Sequence, residues 1–386
     1  MIHYIPTAIP GMYSRDLFAR MLSHVEGSYD AIYANHLRLE EMDRIKLREK
    51  LVIISIDDLP EYVDYDFWTN EPEDPVISYF KKLASRNPDK EFVLILVGNT
   101  WKDQDFYPCT NIKTVNWETF YGVEHKGIMP PDKNFDSRQI GISLSRQMRP
   151  HRFALSSYLL GSGLDEYCYI SAMHLYKQFE KNNSNDILDH INWQFENRHE
   201  KYKTILSKGF QKIHQLFNTR EGFQKPVIDI YPLDKNESTV IQFTNKENFE
   251  NNLSGLYKNS FVEFVGCKHH PVTKLNSDEK YINSIYGRNF PIIIGTYKTV
   301  EFFRNSGLDM FDDIVDHSYD LIENPVDRFF AAIESNKNLI KDYDQTKQLW
   351  KQNEHRFNKN VDFANNQMYD YYEAQSIRNL KEVLTK

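Results

Sequence analysis

The stretch Asp278–Gly295, DEKYINSIYGRNFPIIIG, sets Glu279 and Lys280 at the start of a run with helical spacing that steps through glycine into a short apolar strand. A helix N-terminus collects unpaired N–H groups and partial positive charge, so this pattern fits a helix start facing an anion or a network of sugar hydroxyls. The plainer reading is an N-terminal acid beside an exposed lysine. A second stretch, RQMRPHR, places Arg146, Arg149 and Arg152 at the opening of another helix. A merely solvated basic start is the alternative to phosphate contact there, and the helix dipole counts against it. In CKHH, Cys267, His269 and His270 form a metal-like cluster. A structural zinc site wants a second Cys/His pair at matching spacing, which is absent, so no metal is expected and the cluster is assigned to lining a cleft.

Short apolar runs alternate with helical patterns around these residues. IHYIP near residue 2, LVIISID from Leu51 and FVLILVG from Phe92 read as strands covered on both faces. DPVISYFKKLASRNPD from Asp74 reads as the helix between the last two. Residues 118 to 138 are rich in Gly, Pro and charge and read as a long loop or linker. The alternation restarts with IGISLS from Ile140, a helix through HRFALSSYLLGSG, and YCYISA from Tyr167. VIDIYP, STVIQF and SFVEFVG are three further strand-like runs, and the chain from Val326 onward is helical and polar. Two α/β domains in series suggest two Rossmann-like units facing a cleft, with ligands beyond the carboxyl ends of the strands.

A chain of 386 residues favours two domains over one. With 47 basic against 55 acidic residues and a net charge of -8, no nucleic-acid partner is expected. Three cysteines, Cys109, Cys168 and Cys267, are too few and too scattered for a disulfide framework. No window approaches the length of a transmembrane segment, and the start lacks a signal pattern. The expectation is a cytoplasmic protein, in the host cytoplasm if it is viral.

The first stretch resembles the donor-binding signature of the α1,3-fucosyltransferase family. Glu279, Lys280, Tyr281, Asn283, Gly287, Pro291 and Gly295 fall in that signature's register, with Asp278 where the family has Thr. ISLSRQMRPHRFALSSYLLGSGLDEYCYIS is similar to the family's strand, Ser-containing loop and helix whose early Arg reaches the donor diphosphate. Arg152 is the match, with Arg146 and Arg149 as competitors. SFVEFVG stands where the family has a strand ending in an acid, which makes Glu263 the nearest candidate. The resemblance covers roughly the second half of the chain. In overall style the sequence is also similar to uncharacterised proteins of marine phages and bacteria.

The resemblance implies a GT-B glycosyltransferase. Residues 1–125 would be a Rossmann-like acceptor domain, 126–138 a linker, 139–335 the nucleotide-sugar-binding domain and 336–386 a helical extension. The enzyme would move a sugar from a nucleotide-diphosphate donor, such as a GDP-linked one, to a glycan or other hydroxyl acceptor, with no cofactor beyond that co-substrate. Lys280 and Arg152 would carry the leaving-group charge in place of a tightly held metal. Glu279 would bind ribose or sugar hydroxyls, with Asn283 beside it. An inverting mechanism requires a base, for which Asp57 and Asp58, directly after LVIISI, are the candidates by position; the bland role for such a pair is a loop or helix cap.

Two other functions compete. One is a non-catalytic carbohydrate-binding or virion-associated module with the same fold. The other is a nucleotide-dependent sulfotransferase, which calls for a phosphate-cradling loop after the first strand. IPTAIPGMYSRD offers Ser14 and Arg15 but no Gly-rich, Lys-containing turn.

Overall fold

The computed structural model describes residues 2–5, 22–35, 46–57, 75–97, 106–117, 127–145, 150–172, 200–218, 246, 249–267 and 279–385. The chain divides into two compact units. The first comprises Met1–Val123, Lys274–Ser277 and Gln367–Lys386, and the second comprises Glu124–Thr273 and Asp278–Asn366.

In the first unit, β1 (Ile2–Ile5), β2 (Tyr29–Asn35), β3 (Leu51–Asp57), α1 (Pro75–Arg86), β4 (Glu91–Val97) and β5 (Ile112–Trp117) follow in sequence. The five strands form one parallel sheet in the order β1-β2-β3-β4-β5. The crossover from β3 to β4 places α1 on one face of this sheet. There α1 buries Ile77, Phe80 and Leu83 against Ile32, Val52, Ile54, Leu94 and Leu96. On the other face lies the C-terminal helix Met368–Thr385. Leu380, with Ile377 and Val383, packs there on Tyr29, Ala31, Ile53, Val93 and Ile95. Coverage on both faces is why LVIISID and FVLILVG are apolar without alternation.

The second unit contains β6 (Gly141–Ser145), α2 (Pro150–Gly161), β7 (Cys168–Ala172), α3 (Glu200–Asn218), the short α4 (Ser254–Lys258) and β8 (Val262–Gly266). It continues with α5 (Glu279–Gly287), β9 (Phe290–Ile294), α6 (Thr299–Asn305), α7 (Pro325–Lys341), α8 (Tyr343–Gln352) and α9 (Glu354–Asn366). Its parallel sheet has the order β7-β6-β8-β9, so the strand order reverses between β6 and β8. Helices α2 and α3 cross closely. A Cβ on Gly161 would fall 1.9 Å from the Ile205 carbonyl oxygen, and one on Gly209 would fall 1.7 Å from that of Ser157.

The structure redraws two expected segments. Residues 127–138, read as linker, lie inside the second unit. Phe135 packs on Phe261 and Trp350, with ring centroids 5.4 and 5.7 Å apart. The C-terminal helices are not one extension: α8 and α9 supply Trp350 and Phe357 to that aromatic core, whereas the last helix belongs to the first unit. VIDIYP and STVIQF lie outside the described residues. No helix among the described residues is long and apolar enough to cross a membrane.

Candidate functional site

In a β-α-β crossover the helix runs antiparallel to its strands, so its N-terminus lies at the carboxyl edge of the sheet. The N-termini of α2, between β6 and β7, and α5, between β8 and β9, therefore gather at one edge of the second sheet. That edge contains the strand-order reversal, where open α/β sheets hold their ligands.

Proline at the first helical position, Pro150, suits the fixed φ of a helix start. Two residues on, Arg152 is only 2% exposed. Its Nε donates to the carbonyl of Gly266, the last residue of β8, at 3.0 Å. The contact is close: a Cβ on Gly266 would stand 3.2 Å from Arg152 Cγ, so the arginine stem would have to shift by a few tenths of an ångström. His151, also buried, donates from Nε2 to the carbonyl of Cys267 at 2.8 Å, which fixes its tautomer. Together they tie the start of α2 to the end of β8 and hold a guanidinium at the reversal.

The next strand repeats the device. Asn324 caps α7 by accepting from the N–H groups of Val326 and Asp327, both at 3.1 Å, and Pro325 opens the helix. Arg328, also 2% exposed, donates from Nε to the carbonyl of Gly295, directly after β9, at 3.1 Å. Its Nη1 reaches the carbonyls of Ile322 and Glu323 at 2.7 and 3.0 Å. Burial pushes the guanidinium down to about 10, with Asp320 and Tyr297 opposing, so it stays cationic at neutral pH. Helices α2 and α7 meet through Tyr158 and Phe330, with ring centroids 5.9 Å apart.

Glu279 and Lys280 open α5 at this same edge by topology; the side chain of Glu279 lies outside the described residues, and Lys280 is half-buried. Asn283, one turn on, is buried, and its Oδ1 has no hydrogen-bond partner among the described residues. Arg146 and Arg149 lie outside the described residues, as does Asp58. Asp57 closes β3 in the first unit, paired in register with Asn35, with its side chain outside the description.

Glu263 is placed elsewhere. It is the second residue of β8, in register with Pro291 and Ile142, so it lies in the amino half of the strand, away from the end where Arg152 docks. Only 2% exposed, it accepts from the Tyr257 hydroxyl at 3.0 Å. Burial pushes its carboxyl up to about 8, against the opposing pull of the Tyr257 and Ser284 hydroxyls and of Lys133 and Lys280.

The segment DHSYD, Asp316–Asp320, borders an open groove whose lining includes Lys298, Glu301, Arg304, Asp312 and His317. Its polar groups serve the fold. Asp320 accepts from the N–H groups of Val300 and Glu301 at 3.0 and 2.9 Å, so the start of α6 already has its anion. His317 spans Asp312 at 3.0 Å and the Pro291 carbonyl at 3.1 Å. In CKHH, Cys267 is buried, and His269 and His270 lie outside the described residues.

Sequence reading missed Arg328 and His151. The signal was present: NPVDR repeats the proline-then-arginine opening of RPHR, at the first turn of a helix. Comparison of the chain with protein-family models and with curated proteins gave no match. Chemically, the edge offers fixed cations and helix N-termini, a setting for an anion with several oxygens.

Proposed function

We propose that this protein is a glycosyltransferase of the GT-B type, in which the second unit binds a nucleotide-diphosphate sugar and the first unit binds a hydroxyl acceptor. The observation that carries the reading is Arg152, buried at the strand-order reversal and held to the end of β8 with its charge at the carboxyl edge. Lys280, in the first turn of the helix that follows β8, supports it.

In the proposed reaction the bond between the sugar's anomeric carbon and the diphosphate oxygen breaks as the acceptor oxygen bonds to that carbon. The electron pair leaves with the nucleoside diphosphate, whose added charge Arg152 and Lys280 stabilise. The acceptor's proton passes to a base, for which Asp57 and Asp58 remain the candidates. GDP-linked sugars are the first donors to try.

Release of nucleoside diphosphate from a panel of nucleotide sugars, with and without simple saccharide acceptors, tests the proposal. Acceptor-stimulated release from one donor supports it. Binding of a donor with no release under any acceptor favours the carbohydrate-binding module instead.

A further inference from the structure

The geometry that gathers helix N-termini at the carboxyl edge of the second sheet gathers helix C-termini at the opposite edge. Helix α4 ends as the chain turns into β8, and α5 ends as it turns into β9. The last carbonyls of a helix lack intrahelical partners and carry the negative end of its dipole, so this edge calls for a cation.

Lys133 supplies it. Lys133 is half-buried, and burial of its amine, with the Arg288 charge beside it, pushes its pKa well below the usual lysine value against the opposing pull of Glu263, whereas four surrounding acceptors favour the protonated form with its three N–H groups. Nζ lies within hydrogen-bond reach of the carbonyls of Tyr257, Ser260 and Gly287 and of Asn289 Oδ1, so its three N–H groups are shared among four oxygens, with the Tyr257, Gly287 and Asn289 distances at 2.8, 2.7 and 2.6 Å. The rings of Phe261 and Trp350 lie 5.3 and 5.8 Å from it. All four partners are neutral oxygens. Asn289 is itself aimed by donating to Ser260 Oγ at 2.9 Å. The chain around Lys133 is held by other groups as well: Arg288 donates to the Pro131 carbonyl, and Lys347 to that of Phe135, each at 2.7 Å.

We infer that the oxygens of Tyr257, Ser260, Gly287 and Asn289 form a binding site for a primary ammonium ion, of which Lys133 is the tethered ligand. The site is a shared cap for two helix ends. Its selectivity comes from N–H donors converging on four oxygens, with aromatic faces closing the rest. With the Lys133 stem removed, free ammonium or methylammonium has the donors and the size to replace it. Tetramethylammonium has the charge but no N–H.

The test compares melting temperatures of the full chain and of Lys133→Ala in sodium, methylammonium and tetramethylammonium chlorides at equal ionic strength. Lys133→Ala should melt roughly 5–10 °C lower in sodium chloride, since several buried carbonyls lose their donor. Methylammonium should restore part of that loss saturably, tetramethylammonium should not, and the parent protein should respond to neither. Lys133→Met, whose stem still fills the approach, should be destabilised without recovery. A Lys133→Ala variant as stable as the parent, or equal recovery in all three salts, overturns the inference. If Lys133→Ala does not purify in folded form, its refolding yield from urea in each salt gives the same discrimination: a methylammonium-selective yield supports the site, and equal yields refute it. The result is independent of whether the protein transfers sugars.

Discussion

Arg152 and Arg328 occupy the same position relative to neighbouring strands: each, from the first turn of its helix, donates Nε to a glycine carbonyl at the carboxyl end of a strand, Gly266 at 3.0 Å and Gly295 at 3.1 Å. Both are buried, and their helices are in contact. Backbone carbonyls thus fix two guanidiniums at the carboxyl edge of one sheet, and the donor-site proposal rests on the first of them, Arg152.

Truncating either arginine removes a buried donor from a carbonyl. Arg328→Ala leaves three carbonyls unpaired and should cost about 3 kcal/mol, and Arg152→Ala should cost about 1–3 kcal/mol. Urea unfolding of each variant checks the order, with Arg328→Ala as the larger loss.

Glu263 should impose a pH dependence on stability. Its folded value of about 8 lies above the ordinary glutamate value of 4.5, because burial favours the neutral form. The stability it contributes is therefore fully present below about pH 4.5 and is lost as pH rises through about 8. Glu263→Gln cannot ionise, so relative to the parent it should gain stability between pH 6 and pH 9, by an amount on the order of 1 kcal/mol or more. Urea titrations of both proteins at those two pH values measure the difference. An unchanged gap contradicts the buried neutral carboxyl.

Glycine substitutions separate close packing from open space. Gly209→Ala puts a Cβ on the Ser157 backbone carbonyl and should destabilise by about 3 kcal/mol or more, since neither helix backbone can yield cheaply. At Gly255, in α4, an added Cβ would meet no atom within 4 Å, and Gly255→Ala should stabilise by about 0.5–1 kcal/mol. Thermal melts of the pair give opposite signs if the helix crossing is as described.

Several of these elements were legible in the sequence, for identifiable reasons. LVIISID, FVLILVG, GISLS, VEFVG and FPIII are mostly apolar, with Ser, Asp or Glu as the exceptions, because successive residues of these strands are buried without alternation, and the residue pattern records this. YDAIYAN and IKTVNW escaped because polar residues interrupt them: buried Asp30 accepts from the N–H groups of Arg48 and Glu49, and β5 is an edge strand. Lys133 looked like a linker charge in PPDKNF. Its oxygens come from residues 257 to 289, more than 120 positions away, and no local pattern encodes them. Glu263 was legible as an acid in a strand, but which end of the strand it sits nearest depended on where the strand begins.

The measurement that bears most directly on the central proposal is the melting temperature of the purified protein against a panel of nucleoside diphosphates and nucleotide sugars, with Lys280→Ala and Arg152→Lys alongside. Binding to the folded state alone raises the melting temperature by mass action. The account predicts a saturable rise selective for one base, reduced in both variants while each remains folded without ligand. No rise with any nucleotide, from folded protein with or without divalent metal, would contradict it.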